Sequence, residues 1–176
     1  SGLNKRGYRL AQGEAPIKET LAASLIRLAN WKGDSPLIDP FCGSGTIAIE
    51  ACLIAQNIAP GFNRDFVSEE WNIMPPNIYD ELRDEADRMA DYDKEIEVYA
   101  SDIDPEMVEI AKRNAEEVGL GDIIQFNVKD VNTLTIDSEG PVALVGNPPY
   151  GERIGDREEV EEMYRYIGSL MKQHPY

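Results

Sequence analysis

Asp39-Pro40-Phe41-Cys42-Gly43-Ser44-Gly45-Thr46 separates two apolar segments of different character. Before it, Pro36-Leu37-Ile38-Asp39 reads as a short buried strand. After it, Thr46 to Ile58 reads as a helix, very apolar through Ile47, Ala48, Ala51, Ile54 and Ala55 and stopped at Pro60-Gly61. A strand, a glycine-bearing turn and a helix form the unit with which a parallel α/β sheet approaches a nucleotide-like ligand, because glycine lets the backbone turn sharply and come close. The rest of the chain repeats the alternation. Glu97 to Asp102 reads as a second strand. A helix follows, with Asp104 as its cap, Pro105 in its first turn and Gly119 as its stop. Ile123 to Val128 reads as a third strand, Val142 to Val145 as a fourth, and Glu158 to Met171 as a last helix. Strands separated by helices predict an α/β fold with a mostly parallel sheet and helices on both faces. Doubly wound sheets usually carry more than four strands, so the expected fold lacks its last strands.

Outside this core, residues 1–35 read as an N-terminal basic arm and a helix begun at Pro16, with Ile17, Leu21, Leu25 and Leu28 on its inner face. Residues 36–176 form the partial core, with an insertion at about 60–94 that holds a loop and an acidic helix striped by Tyr79, Leu82, Ala86 and Met89. Trp31 and Trp71 read as packing residues.

With 176 residues, 42% of them hydrophobic, the chain can bury a core as one domain. No apolar run approaches the roughly 20 residues that cross a bilayer, and none at the start reads as a signal peptide, so no membrane partner is expected. Two cysteines, Cys42 and Cys52, cannot staple a small scaffold and suit a reducing, cytoplasmic setting. One histidine and two scattered cysteines make no metal cluster. The net charge of −16 is a poor grip on phosphates. It is unevenly spread. Residues 1–32 carry six basic and two acidic side chains, against 11 basic and 31 acidic in the remainder, so contact with nucleic acid is expected only near the arm.

The glycine turn admits three ligands. A P-loop needs a lysine where Thr46 stands. A dinucleotide site wants an acid closing the second strand, and Asp102 is there. S-adenosylmethionine has no phosphate but carries an ammonium, and Asp39 at the first strand's end suits a cation. In either of the last two, Asp102 accepts the ribose hydroxyls and Ile103 covers the adenine; Asp130 accepts from its amino group. The candidate cofactor residues are Asp39, Phe41, Gly43, Gly45, Thr46, Asp102, Ile103, Asp130 and Asn147.

Chemistry is suggested by Val145-Gly146-Asn147-Pro148-Pro149-Tyr150, at the carboxyl end of the fourth strand. Each proline holds the preceding residue extended, so the segment is stiff. The Asn147 side-chain oxygen and the Pro148 carbonyl make a pair of acceptors for a planar NH2 group, and Tyr150 offers a face for the ring that bears it. Asn147, Pro148 and Tyr150 are the candidate catalytic residues.

The passages Lys5-Arg6-Gly7-Tyr8-Arg9, Ala15-Pro16-Ile17-Lys18-Glu19-Thr20, Asp39 to Thr46, Ala59-Pro60-Gly61-Phe62-Asn63-Arg64 and Asn147-Pro148-Pro149-Tyr150-Gly151-Glu152-Arg153 resemble the bacterial 23S rRNA guanine 2-amino methyltransferases. That family often carries the label N6-adenine-specific DNA methylase. The resemblance implies a Rossmann-like S-adenosylmethionine-dependent methyltransferase fold and methyl transfer to the guanine 2-amino group of 23S rRNA. It also implies a THUMP domain that binds ribosomal RNA and three further strands, so the chain reads as a catalytic core cut at both ends. Its fourth strand is then an exposed edge open to self-association. Adenine 6-amino methylation of DNA or RNA, glutamine methylation, a dinucleotide-dependent oxidoreductase and a non-catalytic module are the competing readings.

Overall fold

The computed structural model describes residues 5–8, 17–62, 64–148 and 157–173. Leu37–Asp39 (β1), Val98–Asp102 (β2), Ile124–Val128 (β3) and Ala143–Leu144 (β4) form one sheet in the order β3-β2-β1-β4. All three pairings are parallel, with Ile38 opposite Tyr99 on one side and Leu144 on the other. Parallel neighbours need crossovers, and the helices supply them.

Pleating sends successive side chains to opposite faces, and β1 shows it residue by residue. Leu37 points into the larger core, with Val98, Ala100, Ile124 and Val145. Glu19–Leu28 (α1), Thr46–Ala55 (α2) and Pro105–Glu116 (α4) supply residues to that side. Ile38 points the other way, into a smaller cluster with Leu134 and with Leu170 from Arg157–Gln173 (α5). The Tyr166 hydroxyl fastens α5 there by donating to the Leu134 carbonyl at 2.8 Å. Helices therefore cover both faces, as the alternation predicts. The α4 boundaries follow local chemistry. Asp104 accepts from the Glu106 N–H at 2.8 Å, Pro105 occupies the first turn, and Gly119 takes a left-handed φ of 72° beyond the end.

Two helix faces differ from expectation. On α1 the buried residues are Glu19, Ala22 and Ile26, while Leu21 is exposed and Leu28 is 82% exposed. The inner face is turned by one residue, about 100°, from the leucine row. Small Ala22 can approach α2 closely, whereas Leu21 there would hold the helices apart. The acidic helix expected within residues 60–94, Ile78–Met89 (α3), buries none of its residues fully, and Leu82 and Met89 are exposed, as is Trp71 before it. The segment from 60 to 94 leaves the end of α2 and rejoins the sheet at β2's amino end. Asn57 Nδ2 donates to the Met89 carbonyl at 2.9 Å and the Asp91 N–H to the Gln56 carbonyl at 2.7 Å, tying the end of α3 to the end of α2. No helix among the described residues is long and apolar enough to cross a membrane.

Candidate active site

From β1 the chain steps outward through β2 and β3 on one side and then returns to place β4 on the other, and such a switch between β1 and β4 opens a crevice at the carboxyl ends of the strands. Asp39 closes β1 at that crevice and is completely buried. Its Oδ1 accepts the Phe41 N–H at 3.2 Å, but Oδ2 is buried with no hydrogen-bond partner among the described residues. Burial pushes the carboxyl up to about 8, against the opposing pull of the Phe41 N–H and with added repulsion from Asp102. An orphaned, desolvated carboxylate oxygen is an acceptor prepared for a cation.

The glycine turn is set by the elements around it. Gly43 and Gly45 hold φ of 49° and 83°, a region that side-chain-bearing residues avoid. Around Gly43 a Cβ would meet nothing within 4 Å, so this side of the turn is open. The Gly43 N–H instead donates to Asp102 Oδ2 at 2.9 Å, and the Cys42 N–H to the Ser101 carbonyl at 2.9 Å, joining the turn to β2. At Gly45 a Cβ would lie 3.0 Å from Ala111 Cβ and 3.3 Å from its Cα. Gly45→Ala therefore combines backbone strain with overpacking against α4, and urea unfolding should show a loss of roughly 2–4 kcal/mol. Thr46 opens α2 with a buried side chain, its hydroxyl 3.4 Å from that of Ser44. Phe41 is half-buried. Cys42 is buried beside Asp39, and burial pushes its thiol up, so it stays protonated and is no nucleophile.

Asp102, at the end of β2, is partly exposed and already engaged through both oxygens: Oδ2 by Gly43, Oδ1 by the Asp104 N–H at 3.0 Å. Each carboxylate oxygen has a second lone pair, so acceptor capacity remains. Ile103 follows at 68% exposure. Asp130, beyond β3, is half-buried; its Oδ1 caps a short turn by accepting from the Asn132 N–H at 2.9 Å.

Beyond β4 the Val145 N–H donates to the Ile38 carbonyl at 3.0 Å, which carries the next residues past Asp39. A Cβ on Gly146 would sit 3.3 Å from Asp39 Oδ1, 3.2 Å from Phe41 Cδ2 and 3.3 Å from Pro40 Cδ. The β4 loop thus lies directly on the β1 loop, and only a glycine fits without displacement. Asn147 and Pro148 come next, both half-buried, and no hydrogen bond among the described residues engages the Asn147 side chain. Tyr150 lies outside the described residues, as do Pro149 and the passages at 9–16 and 151–153.

Three structural contributors escape the sequence reading. Asn114, fully buried on α4, donates from Nδ2 to the Ser44 carbonyl at 3.0 Å and so pins the turn from behind. Gly146 makes the close approach just described. Glu50 is buried in the apolar helix α2, where Arg6 and Tyr8 of the arm bind it, so Arg6 is engaged by a carboxylate. A single charge inside Thr-Ile-Ala-Ile-Glu-Ala-Cys-Leu-Ile-Ala, and a single Asn on the inner stripe of α4, were the available signals.

Residues 6–175 match the family described as RMKL-like, methyltransferase domain. The chain is 59% identical over 172 residues to the RNA methyltransferase candidate YpsC of Bacillus subtilis (strain 168), covering 98% of this chain and 44% of that one. It is 44% identical over 176 residues to the ribosomal RNA large subunit methyltransferase K/L of Shewanella baltica (strain OS155), covering 97% and 25%. Among solved structures it is similar to the methyltransferase candidate SMU.472 complexed with SAH, at 46% identity and a TM-score of 0.89, covering 98% and 45%. The chain spans less than half the length of each of these proteins.

Proposed function

This chain belongs to the RMKL-like methyltransferase domain family, and on that premise we propose that it transfers a methyl group from S-adenosylmethionine to an exocyclic amine of a nucleic-acid base, specifically the 2-amino group of guanine in large-subunit ribosomal RNA. The observation that carries the reading is the close approach of Gly146 to Asp39, Pro40 and Phe41, which sets the residue before Asn147 beside an orphaned acid at the start of the glycine-bearing loop.

When bound, S-adenosylmethionine would supply an electrophilic methyl group on a sulfonium, its S–CH3 bond breaking as the N–CH3 bond forms and the sulfur leaving as the thioether of S-adenosylhomocysteine. Asp39 Oδ2 would take the cationic amino-acid end, and the backbone of Phe41, Gly43, Gly45 and Thr46 would line the turn. The remaining lone pairs of Asp102 would accept ribose hydroxyls, Ile103 would cover one face of the adenine, and Asp130 would accept from its amino group. These roles fit the residues as found: an unsatisfied buried acceptor, an uncrowded glycine and an exposed apolar side chain.

Asn147 Oδ1 and the Pro148 carbonyl accept the two N–H bonds of the target amine. Its lone pair, otherwise delocalised into the ring, is then localised for attack. No strong base is required, because the methylated nitrogen is a strong acid and yields its proton to water. Orientation and fixed dipoles supply the rate. Tyr150 stacks on the base, a contact worth about 1–3 kcal/mol. A paired base cannot enter such a crevice, so the nucleotide is unpaired or flipped out. With a net charge of −16 the chain repels phosphates, so the grip on RNA is assigned to a part of the longer protein outside it.

Calorimetric titration with S-adenosylmethionine and with NAD tests the cofactor. Binding of the first alone is expected, and binding of NAD alone overturns the reading in favour of an oxidoreductase. Ribosomal RNA from cells lacking the full-length protein, treated with the enzyme and hydrolysed, should gain N2-methylguanosine. N6-methyladenosine instead would move the substrate to adenine.

A further inference from the structure

We infer that Arg6, Tyr8 and Glu50 form a positioning lock that holds the glycine turn in its cofactor-binding shape, an inference that rests on the S-adenosylmethionine reading of that turn. Glu50 is 1% exposed in the middle of a helix whose other residues are uncharged. A carboxylate buried there is costly unless it is paired and hydrogen-bonded. Its partners come from far along the chain. Arg6 donates from Nε to Oε1 at 3.2 Å and from Nη2 to Oε2 at 3.3 Å, and the hydroxyl of buried Tyr8 donates to Oε1 at 3.1 Å. From the segment 60–94, Arg64 Nη1 donates to the Lys5 carbonyl at 2.8 Å. Residues 5–8 have neither helix nor strand of their own, so these side chains hold the arm in place. Burial raises the Glu50 carboxyl, Arg6 and Tyr8 oppose that rise, and buried Glu19, which opens α1, adds a smaller repulsion from the side of α1.

Stability alone does not account for this set, because an apolar pair of similar volume usually serves a core as well or better. What a two-pronged Arg–carboxylate contact adds is register: the fork admits one placement of the arm on α2. That placement matters because Glu50 lies one helical turn beyond Thr46, and the Ile49 N–H bonds the Gly45 carbonyl at 2.9 Å. The turn is tied down at 2.9 Å by Asp102 and 3.0 Å by Asn114, and there is no room for a side chain between Gly45 and Ala111. A shift of the second turn of α2 is therefore passed to Gly43–Thr46 rather than absorbed.

The test is the paired variant Arg6→Met/Glu50→Leu in the full-length protein, with urea unfolding, S-adenosylmethionine titration and amide hydrogen exchange at residues 43–46. A urea midpoint at or above that of the wild type, with cofactor affinity at least tenfold weaker and faster exchange at those amides, is expected. A variant that is as stable as the wild type and binds the cofactor equally well overturns the lock. If the pair fails to fold, Tyr8→Phe removes a single donor and leaves the ring in the core. It should lower the urea midpoint, since a buried carboxylate loses a donor, and also weaken cofactor binding about threefold with faster exchange at residues 43–46; unchanged binding and exchange overturn the proposal. If the wild type itself binds no S-adenosylmethionine, the cofactor reading fails; exchange at residues 43–46 still decides the lock, since equal rates in wild type and variant overturn it.

Discussion

Asn147→Ala is expected to lower methyl transfer by roughly 10²- to 10³-fold while leaving the dissociation constant for S-adenosylmethionine within about twofold. The asymmetry follows from where the residue stands. Asn147 comes one residue after Gly146, which touches Asp39, and its own side chain has no partner among the described residues. Among the described residues its oxygen is spent on no structural bond, and its removal should leave the stiff segment ending at Pro148 in place. What is lost is one of two acceptors for the amine. The nitrogen lone pair then stays delocalised into the base, and the remaining carbonyl no longer fixes the rotation of the NH2 group. Single-turnover methylation with labelled cofactor, beside calorimetric titration, separates the two effects. Turnover at the wild-type rate would remove Asn147 from the mechanism. An equal loss in affinity and turnover would make it a cofactor residue instead.

Sequence and structure agree where the signals are local. Gly43 and Gly45 mark a turn because few other residues accept their φ, and Asp104-Pro105 marks a helix start because the cap lies two residues from the amide it binds. The strands are apolar and short, and their ends fall within a residue of those expected. Long-range polar pairs could not be read. Nothing local to Glu50 points to an arginine 44 positions earlier, and nothing near Ser44 points to Asn114, 70 positions later. The α1 face failed for a related reason. Leucine spacing predicts which side of a helix is apolar, but α2 presents a surface that favours a small residue, and Ala22 won the contact over Leu21. Asp102 is intermediate. Its position at a strand end was legible, whereas its bond to the Gly43 N–H, which closes the turn onto β2, required the fold.

Asp39→Asn is the complementary substitution, and it should trade affinity for stability. Cofactor affinity is expected to fall at least tenfold, because a buried amide cannot balance a cation as a desolvated carboxylate does. Stability should move the other way at high pH. The Asp39 carboxyl titrates near 8 in the folded chain and near its ordinary 3.8 when unfolded. Between those values the folded state binds more protons than the unfolded state, so stability falls as pH rises through the window. The fall is on the order of a few kcal/mol for a fully buried acid. Replacing the acid removes it, so urea unfolding of the variant should depend less on pH from 4 to 8, and above pH 8 the variant should be the more stable protein. The same proton must leave when a cationic ligand binds. Titrations at pH 7 in two buffers of different ionisation enthalpy should therefore show release of close to one proton by the wild type and none by the variant, and wild-type affinity should rise from pH 6 to 8. Equal affinity in the two proteins, with equal proton release, would mean that the orphaned oxygen of Asp39 faces no cation and that the acid at the end of β1 serves only the turn.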